Sequence, residues 1–225
     1  SAQKHEQVVR PHMINQITTL LIDLDDTVYP TSLNIWPLFM ARINSYLTDI
    51  LGVPKEEAGA LQYRLFKQYG TTLRGLQVER EVDMHDYLDY VHNVDLSDYM
   101  QPDPALRQAL ESLPQTKWIY TNASVAHAEN VLGLMNLRDL FEGIIDVVAT
   151  APYCKPEVGS YEIALNLIGN PKPENCLFVD DRSDNLDTAR ALGIHTLQVK
   201  PMPDGDHPSV SHLIQLPDYM RQTRL

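Results

Sequence analysis

The apolar positions of this chain follow two rhythms, and the rhythm changes twice. A continuous apolar run, Thr19-Leu20-Leu21-Ile22, leads into Asp23-Leu24-Asp25-Asp26-Thr27 and predicts a buried first strand over about 17–24. From Ile35 to about Met100 only helical spacing occurs. Ile35, Leu38, Phe39, Ile43, Tyr46, Leu47 and Ile50 recur at that spacing and stop at Gly52. A second helix opens at Pro54 and stops near Gly70, and a third covers 83–91 with Tyr87, Leu88 and Val91. From Asp103 onward helix and strand alternate. Asp103-Pro104 starts a helix that ends near Leu113. Strands are predicted over 118–120, 144–148, 176–179 and 194–199. Helices over 124–134, 158–168 and 184–192 lie between them, and Pro201 to Pro208 reads as a turn-rich loop.

The alternation predicts an α/β protein with a doubly wound, Rossmann-like parallel sheet. The helical stretch reads as an insert. Residues 16–30 and 101–225 then form the core domain, 31–100 a helical cap, and the polar, patternless 1–15 a loose tail. Segments 30–34 and 100–102 would be the two hinge strands. With 225 residues and 44% apolar content there is material for both a core and a cap.

A net charge of -12 argues against nucleic acid and anionic membranes as partners. It also means that an anionic substrate needs local cations or a metal. Two cysteines, Cys154 and Cys176, do not make a disulfide framework, so a reducing cytoplasm is expected. No stretch approaches the ~20 apolar residues of a membrane span. Residues 1–15 hold no apolar core of a signal peptide. The pattern carries no information on oligomeric state.

The chemistry gathers where the strands end. Parallel sheets of this type bind ligands at the carboxyl ends of their strands. The first strand delivers Asp23 and Asp25, the second Thr121, the loop after the third Lys155, and the fourth Asp180 and Asp181 with Asn185 one helical turn on. Several carboxylates in one crevice repel each other, and a divalent cation resolves that repulsion. Oxygen-only ligands favour Mg²⁺. With Lys155 and a hydroxyl beside it, the set suits phosphoryl transfer. Taken singly, each part has a plainer reading: an acidic turn, a strand-end threonine, a solvated Lys155-Pro156 loop, a helix cap at Asp180-Asp181. Their order at four successive strand ends favours the joint reading.

These residues resemble the haloacid dehalogenase superfamily of phosphatases. Asp23-x-Asp25-x-Thr27 is similar to the first family motif, Thr121 to the second, Lys155 to the third and Asp180-Asp181-x-x-x-Asn185 to the fourth. The resemblance implies that Asp23 attacks phosphorus and forms an aspartyl-phosphate, and that Asp25 serves as general acid and then base. It implies that Asp23, the carbonyl of Asp25 and Asp181 hold Mg²⁺, that Asp180 and Asn185 steady the ion from just outside, and that Lys155 bridges Asp23 and the phosphate. A carboxyl that donates a proton near neutrality needs a pKa raised ~2–3 units above the usual 3.9 or so. Neighbouring carboxylates push Asp25 that way, and a metal pushes back.

The cap carries Phe66-Lys67-Gln68-Tyr69-Gly70-Thr71-Thr72-Leu73-Arg74-Gly75-Leu76. With Tyr29 and Thr121-Asn122-Ala123, this segment resembles the pyrimidine 5′-nucleotidases of the superfamily. The resemblance implies a pyrimidine nucleoside 5′-monophosphate as substrate, UMP or CMP. Arg74, on a glycine-flanked loop, would reach a base carbonyl or the phosphate. Tyr69 or Phe66 would stack on the base, and Asn122 would contact substrate. The plainer reading makes Phe66 and Tyr69 cap core and Arg74 a surface cation. Other readings of the whole are a phosphatase for a sugar phosphate or phosphoglycolate, and a catalytically silent nucleotide-binding regulatory module. A 2-haloacid dehalogenase would not need the second acid, Asp25. His85 and His92 lack the company of a zinc site and read as surface histidines. Cys154, beside Lys155, reads as an incidental loop cysteine rather than an acidified, exposed redox sensor.

Overall fold

A computed structural model describes residues 17–223. The tail reading of residues 1–15 lies outside them. Six parallel strands form one sheet in the order β3-β2-β1-β4-β5-β6. They are β1 (Thr19–Ile22), β2 (Thr116–Tyr120), β3 (Gly143–Ile145), β4 (Cys176–Asp180), β5 (His195–Val199) and β6 (Ser209–Val210). Strand β1 is central, so its apolar run is buried on both faces. Alternate residues divide between those faces. Leu20 and Ile22 pack with Ile119, Leu177 and Val179 on one side, and Leu21 packs with Tyr120 and Phe178 on the other.

The chain steps outward from β1 through β2 to β3, then returns to the other side of β1 for β4, β5 and β6. This reversal beside β1 is the switch point where such sheets open a crevice. Register aligns the strand ends there. Ile22 pairs with both Ile119 and Val179, so Asp23 and Asp180 emerge side by side, with Thr121 one residue further along its own strand.

Helices α5 (Pro104–Glu111), α6 (Val125–Leu134), α7 (Val158–Leu167) and α8 (Ser183–Ala191) connect the strands. Each of α5 and α6 begins with a side-chain cap, Asp103 Oδ1 accepting from the Leu106 amide and Ser124 Oγ from that of His127. Between β1 and α5 lie α1 (Trp36–Ser45), which continues as a π-type turn over Tyr46–Ile50, then α2 (Lys55–Tyr69), α3 (Thr72–Arg80) and α4 (Met84–Val91). They bury a cluster of their own that includes Leu47, Leu65, Leu76 and Leu88.

Four elements differ from the sequence reading. The segment around Arg74 is helix α3 and not a loop. Gly75 reads as punctuation in sequence, but a Cβ there would meet Leu65 Cδ2 at 2.7 Å. The glycine lets α3 cross close over α2, and Thr71 caps the helix by accepting from the Arg74 amide. Strand β3 stops at Ile145 because the Asp146 carboxylate accepts from the amides of Val125 and Ala149 and turns the chain. Beyond the turn-rich loop, β6 and α9 (Leu216–Gln222) add Leu216 and Met220 to the core. Among the described residues no helix is long and apolar enough to cross a membrane.

Candidate active site

Asp23 leaves β1 at the switch point, held by its amide to the Val179 carbonyl at 2.9 Å. Thr27 Oγ1 donates to its Oδ2 at 3.1 Å and Lys155 Nζ to its Oδ1 at 2.7 Å. Lys155 is 1% exposed and donates also to Asp180 Oδ2 and the Tyr120 carbonyl, both at 2.8 Å. Three acceptors satisfy all three ammonium hydrogens. The rings of Tyr120 and Phe178 stand 5.0 and 5.1 Å from the ammonium. Burial alone would push Lys155 down, but Asp180 and Asp23 outweigh it and raise it.

Asp180 is fully committed. Its oxygens accept from Lys155, from the Arg182 amide at 2.9 Å, and from Asn185 Nδ2 at 3.1 and 3.0 Å. Asp181 is half-buried, and its carbonyl accepts from Gln198 Nε2 at 2.9 Å. Burial, then Asp180 and Asp23, push its carboxyl up to about 9. Burial raises Asp23 too; Lys155 pulls it back and Asp180 adds to the rise, leaving it at about 7.

Carboxylate oxygens of Asp23, Asp180 and Asp181 lie within 4.8 Å of one another. Such crowding is costly without a cation. The buried Oδ1 of Asn185 has no donor among the described residues, an acceptor that cation-bound water would satisfy. The oxygen-only set fits a hard divalent ion.

Asp25 Oδ1 accepts from the Tyr29 hydroxyl at 2.6 Å and contacts His127 Nε2 at 2.8 Å. An ionised carboxylate only accepts, so Nε2 carries that hydrogen. Burial raises the Asp25 carboxyl, but His127, through charge and hydrogen bond, and Tyr29 outweigh it and hold it near about 2. The expected upward shift is therefore reversed, by two donors that the acid-rich sequence context conceals. Behind His127, the His92 ring stacks at 4.6 Å and 13°, and its Nδ1 meets Ser124 Oγ at 3.0 Å. His92 is not a surface histidine. Burial and His127 push it down to about 3. It lies just past the end of α4, four residues after the buried Leu88, and that spacing is the signal that could have found it. His127 sits in the first turn of α6, directly above a strand end, a position that aims a side chain into the crevice.

Asp23, Asp25, Lys155 and Asp181 lie on the floor of a cavity of about 660 Å³, with helices α1 to α4 as its roof. Asp25, Thr121 and Asn122 line it, as do Phe66 and Gln62 from the roof. Thr121 Oγ1 accepts from the Ala123 amide at 3.0 Å. The Asn122 carboxamide is paired at both ends with the Lys155 backbone, at 2.9 Å each, so it clamps the lysine loop. Arg182 bridges floor and roof. Its Nη1 donates to the Gly70 carbonyl at 3.2 Å, and its guanidinium lies 4.8 Å over the Phe66 ring.

The other residues singled out from that stretch of sequence face elsewhere. Arg74 pairs with Glu157 at 3.3 Å, and Tyr69 donates to Glu79 at 3.0 Å; neither lines the cavity. Helix α3, absent from the sequence reading, carries Arg74 away from the cavity and brings Glu79 to Tyr69 at the end of α2. Cys154 is 1% exposed, and burial, with Glu157 nearby, pushes its thiol up to about 12. It is neither exposed nor acidified.

Comparison with known proteins agrees with this geometry. A family description, haloacid dehalogenase-like hydrolase, matches residues 17–193. Phosphate metabolism protein 8 of Saccharomyces cerevisiae is 29% identical over 188 residues, 76% of this chain and 58% of that protein. The chain thus spans little more than half the length of that relative. Enolase-phosphatase E1 of Schizosaccharomyces pombe is 28% identical over 204 residues, 82% of this chain and 89% of that protein. Among solved structures, a HAD phosphatase from Thermococcus onnurineus shares the fold with a TM-score of 0.61 at 17% identity, covering 93% of this chain and 100% of that one. The sheet order, the acids at its strand ends and the match over most of its length together make this chain a member of the haloacid dehalogenase-like hydrolase family.

Proposed function

We propose that the protein is a Mg²⁺-dependent phosphomonoester hydrolase that works through an aspartyl-phosphate on Asp23, with pyrimidine nucleoside 5′-monophosphates, UMP or CMP, as substrates. The observation that carries the chemistry is a pair of carboxylates two residues apart on one cavity floor, held by different partners. Asp23 meets the Lys155 ammonium at 2.7 Å, and Asp25 meets Tyr29 and His127.

Asp23 attacks phosphorus as the bond to the leaving oxygen breaks, and Asp25 gives that oxygen its proton. The bound phosphate dianion beside Asp25 favours its protonated form for this half. In the second half Asp25 takes a proton from water, which attacks phosphorus and frees Asp23. Tyr29 and His127 favour the ionised form that this half needs. Thr121 would donate to the phosphoryl oxygens, and Lys155, whose hydrogens go to Asp23, Asp180 and the Tyr120 carbonyl, supplies positive charge beside the nucleophile. Asp23, Asp181 and the Asp25 carbonyl would hold Mg²⁺, with Asp180 and Asn185 behind them. The ion supplies positive charge against the phosphoryl oxygens and the crowded carboxylates.

The resemblance of Phe66 to Leu76 to the pyrimidine 5′-nucleotidases supports the substrate. A phosphatase for another small metabolite is the second reading, and the likeness to enolase-phosphatase E1 favours it. The full set of motif residues argues against a silent nucleotide-binding module. Two buried free thiols are in keeping with a cytoplasmic setting.

The test is phosphate release from nucleoside monophosphates and small sugar phosphates, run with Mg²⁺, with chelator and with Asp23→Asn. UMP or CMP leading by ~10-fold or more, with loss on chelation and in Asp23→Asn, supports the reading. Another ester in the lead replaces the substrate and keeps the chemistry. No turnover, even of an aryl phosphate, rejects both.

A further inference from the structure

The cavity roof is largely apolar, with Trp36, Phe39, Ile43 and Leu73 on it. One carboxamide interrupts it. Gln62 lines the cavity and is only 7% exposed. It stands on the buried stripe of α2 with Ala58 and Leu65, where an apolar residue would pack without polar groups to satisfy. Its Nε2 donates to the Met40 sulfur at 3.3 Å. A thioether is a weak acceptor. No described residue donates to its Oε1. The amide has that one weak bond, and its Oε1 is not among the buried acceptors left without a partner, so it opens on the cavity and can pair with what binds there. Thr72 and Tyr87, also buried, line the same roof.

We infer that Gln62 is a specificity-determining residue that reads the leaving group of the substrate. The cavity then takes a phosphomonoester whose far end is a flat ring with a hydrogen-bond donor and an acceptor side by side. This deepens the proposed function and rests on it. The phosphate sits over Asp23 and Lys155, and the ring lies under the roof against Phe66, itself fixed by Arg182. A carboxamide offers an acceptor and, beside it, two N–H donors, of which Met40 takes one. It matches the N3–H and C4 carbonyl of uracil. Turned over, it matches the N3 and exocyclic amine of cytosine. One residue therefore accounts for acceptance of both bases. Gln62 takes the role that sequence assigned to Arg74, which Glu157 already holds.

The experiment uses the full chain with Mg²⁺ and four substrates: UMP, 3-methyluridine 5′-monophosphate, ribose 5-phosphate and p-nitrophenyl phosphate. Gln62→Met keeps the volume and removes the amide. It is expected to lose ~10- to 100-fold in kcat/KM for UMP, mainly through KM. Its turnover of ribose 5-phosphate and the aryl phosphate is expected to stay unchanged, which also reports folding. In the wild type, methylation of N3 is expected to cost a similar factor, and in Gln62→Met none.

The inference is overturned if Gln62→Met keeps the wild-type preference for UMP over ribose 5-phosphate, or if the wild type accepts the N3-methyl substrate equally well. Parallel losses on all four substrates also overturn it, by making Gln62 structural. If the wild type itself does not prefer UMP or CMP over ribose 5-phosphate, the pyrimidine reading fails, and Gln62 as its reader with it. A preference that survives Gln62→Met removes Gln62 alone.

Discussion

His127 Nε2 lies 2.8 Å from Asp25 Oδ1, the same oxygen that accepts the Tyr29 hydroxyl at 2.6 Å. Both partners favour the ionised carboxylate and hold it near about 2 against the upward push of burial. Removing either must raise the Asp25 pKa. In the proposed mechanism Asp25 works as a base when water attacks the aspartyl-phosphate, so in His127→Ala the acid limb of the kcat profile is expected to move up by roughly one unit or more, with a smaller move in Tyr29→Phe. Rate profiles on an aryl phosphate measure it. An acid limb that stays in place in both variants rejects Asp25 as the group that titrates there.

Lys155 separates two acids that its removal would leave facing each other. Lys155→Met deletes the ion pairs to Asp23 and Asp180, both inside the core. The expected loss is about 3–5 kcal/mol of stability, with turnover abolished. Asp23→Asn also abolishes turnover but leaves Lys155 its bonds to Asp180 and the Tyr120 carbonyl, so its fold is expected to survive. Urea unfolding of the two variants separates the cases. Equal stability would mean that the lysine contributes charge to the chemistry and nothing to the fold.

Metal and pH are linked through the carboxyls that lie above their ordinary range. Asp181 at about 9 and Asp23 at about 7 keep protons that the unfolded chain releases. The metal-free protein therefore binds more protons folded than unfolded, and its stability falls as pH rises through these values. Mg²⁺ replaces those protons. The rise in Tm on adding Mg²⁺ is expected to be larger at a pH of about 8.5 than at about 6, and chelator should reverse it. Asp181→Asn should steady the metal-free protein at the higher pH and flatten the response to Mg²⁺. Thermal scans at the two pH values decide; a Mg²⁺ effect that shrinks as pH rises contradicts the assignment of these acids to the ion.

The sheet and its chemical edge were legible because both depend on local pattern. The run Thr19–Ile22 must be buried on both faces, and the motif acids lie at or just past the ends of their strands. What sequence concealed depends on pairing across distance. His127 reaches Asp25 over 102 positions, and nothing near either residue announces the contact. His92 was legible only as part of a helix, because its burial comes from stacking on a ring of another element. Arg74 looked free because the glycine beside it suggested a loop. The residue that cancels its charge, Glu157, lies 83 positions away. Gln62 attracted no notice, since a glutamine between helical residues is ordinary until the space around it is known.

Gly70 offers a test of how closely the roof controls the floor. Its φ of +85° is a conformation that disfavours side chains. A Cβ there would lie 2.9 Å from Pro156 Cδ and 3.2 Å from the Lys155 carbonyl, so it would press on the loop that carries the lysine. The carbonyl of Gly70 also accepts from Arg182. Gly70→Ala therefore combines backbone strain with displacement of Lys155. Gly52→Ala is the control, because Gly52 has φ +67° and a Cβ there would meet no atom within 4 Å. Both variants are expected to lose about 1–3 kcal/mol from strain. Only Gly70→Ala should also lose kcat, by ~10-fold or more, because the Lys155 ammonium no longer sits at its distance from Asp23. Tm and aryl phosphate kinetics on the pair read the two effects separately. If both variants keep the wild-type kcat, the contact between Gly70 and the lysine loop has no part in placing Lys155.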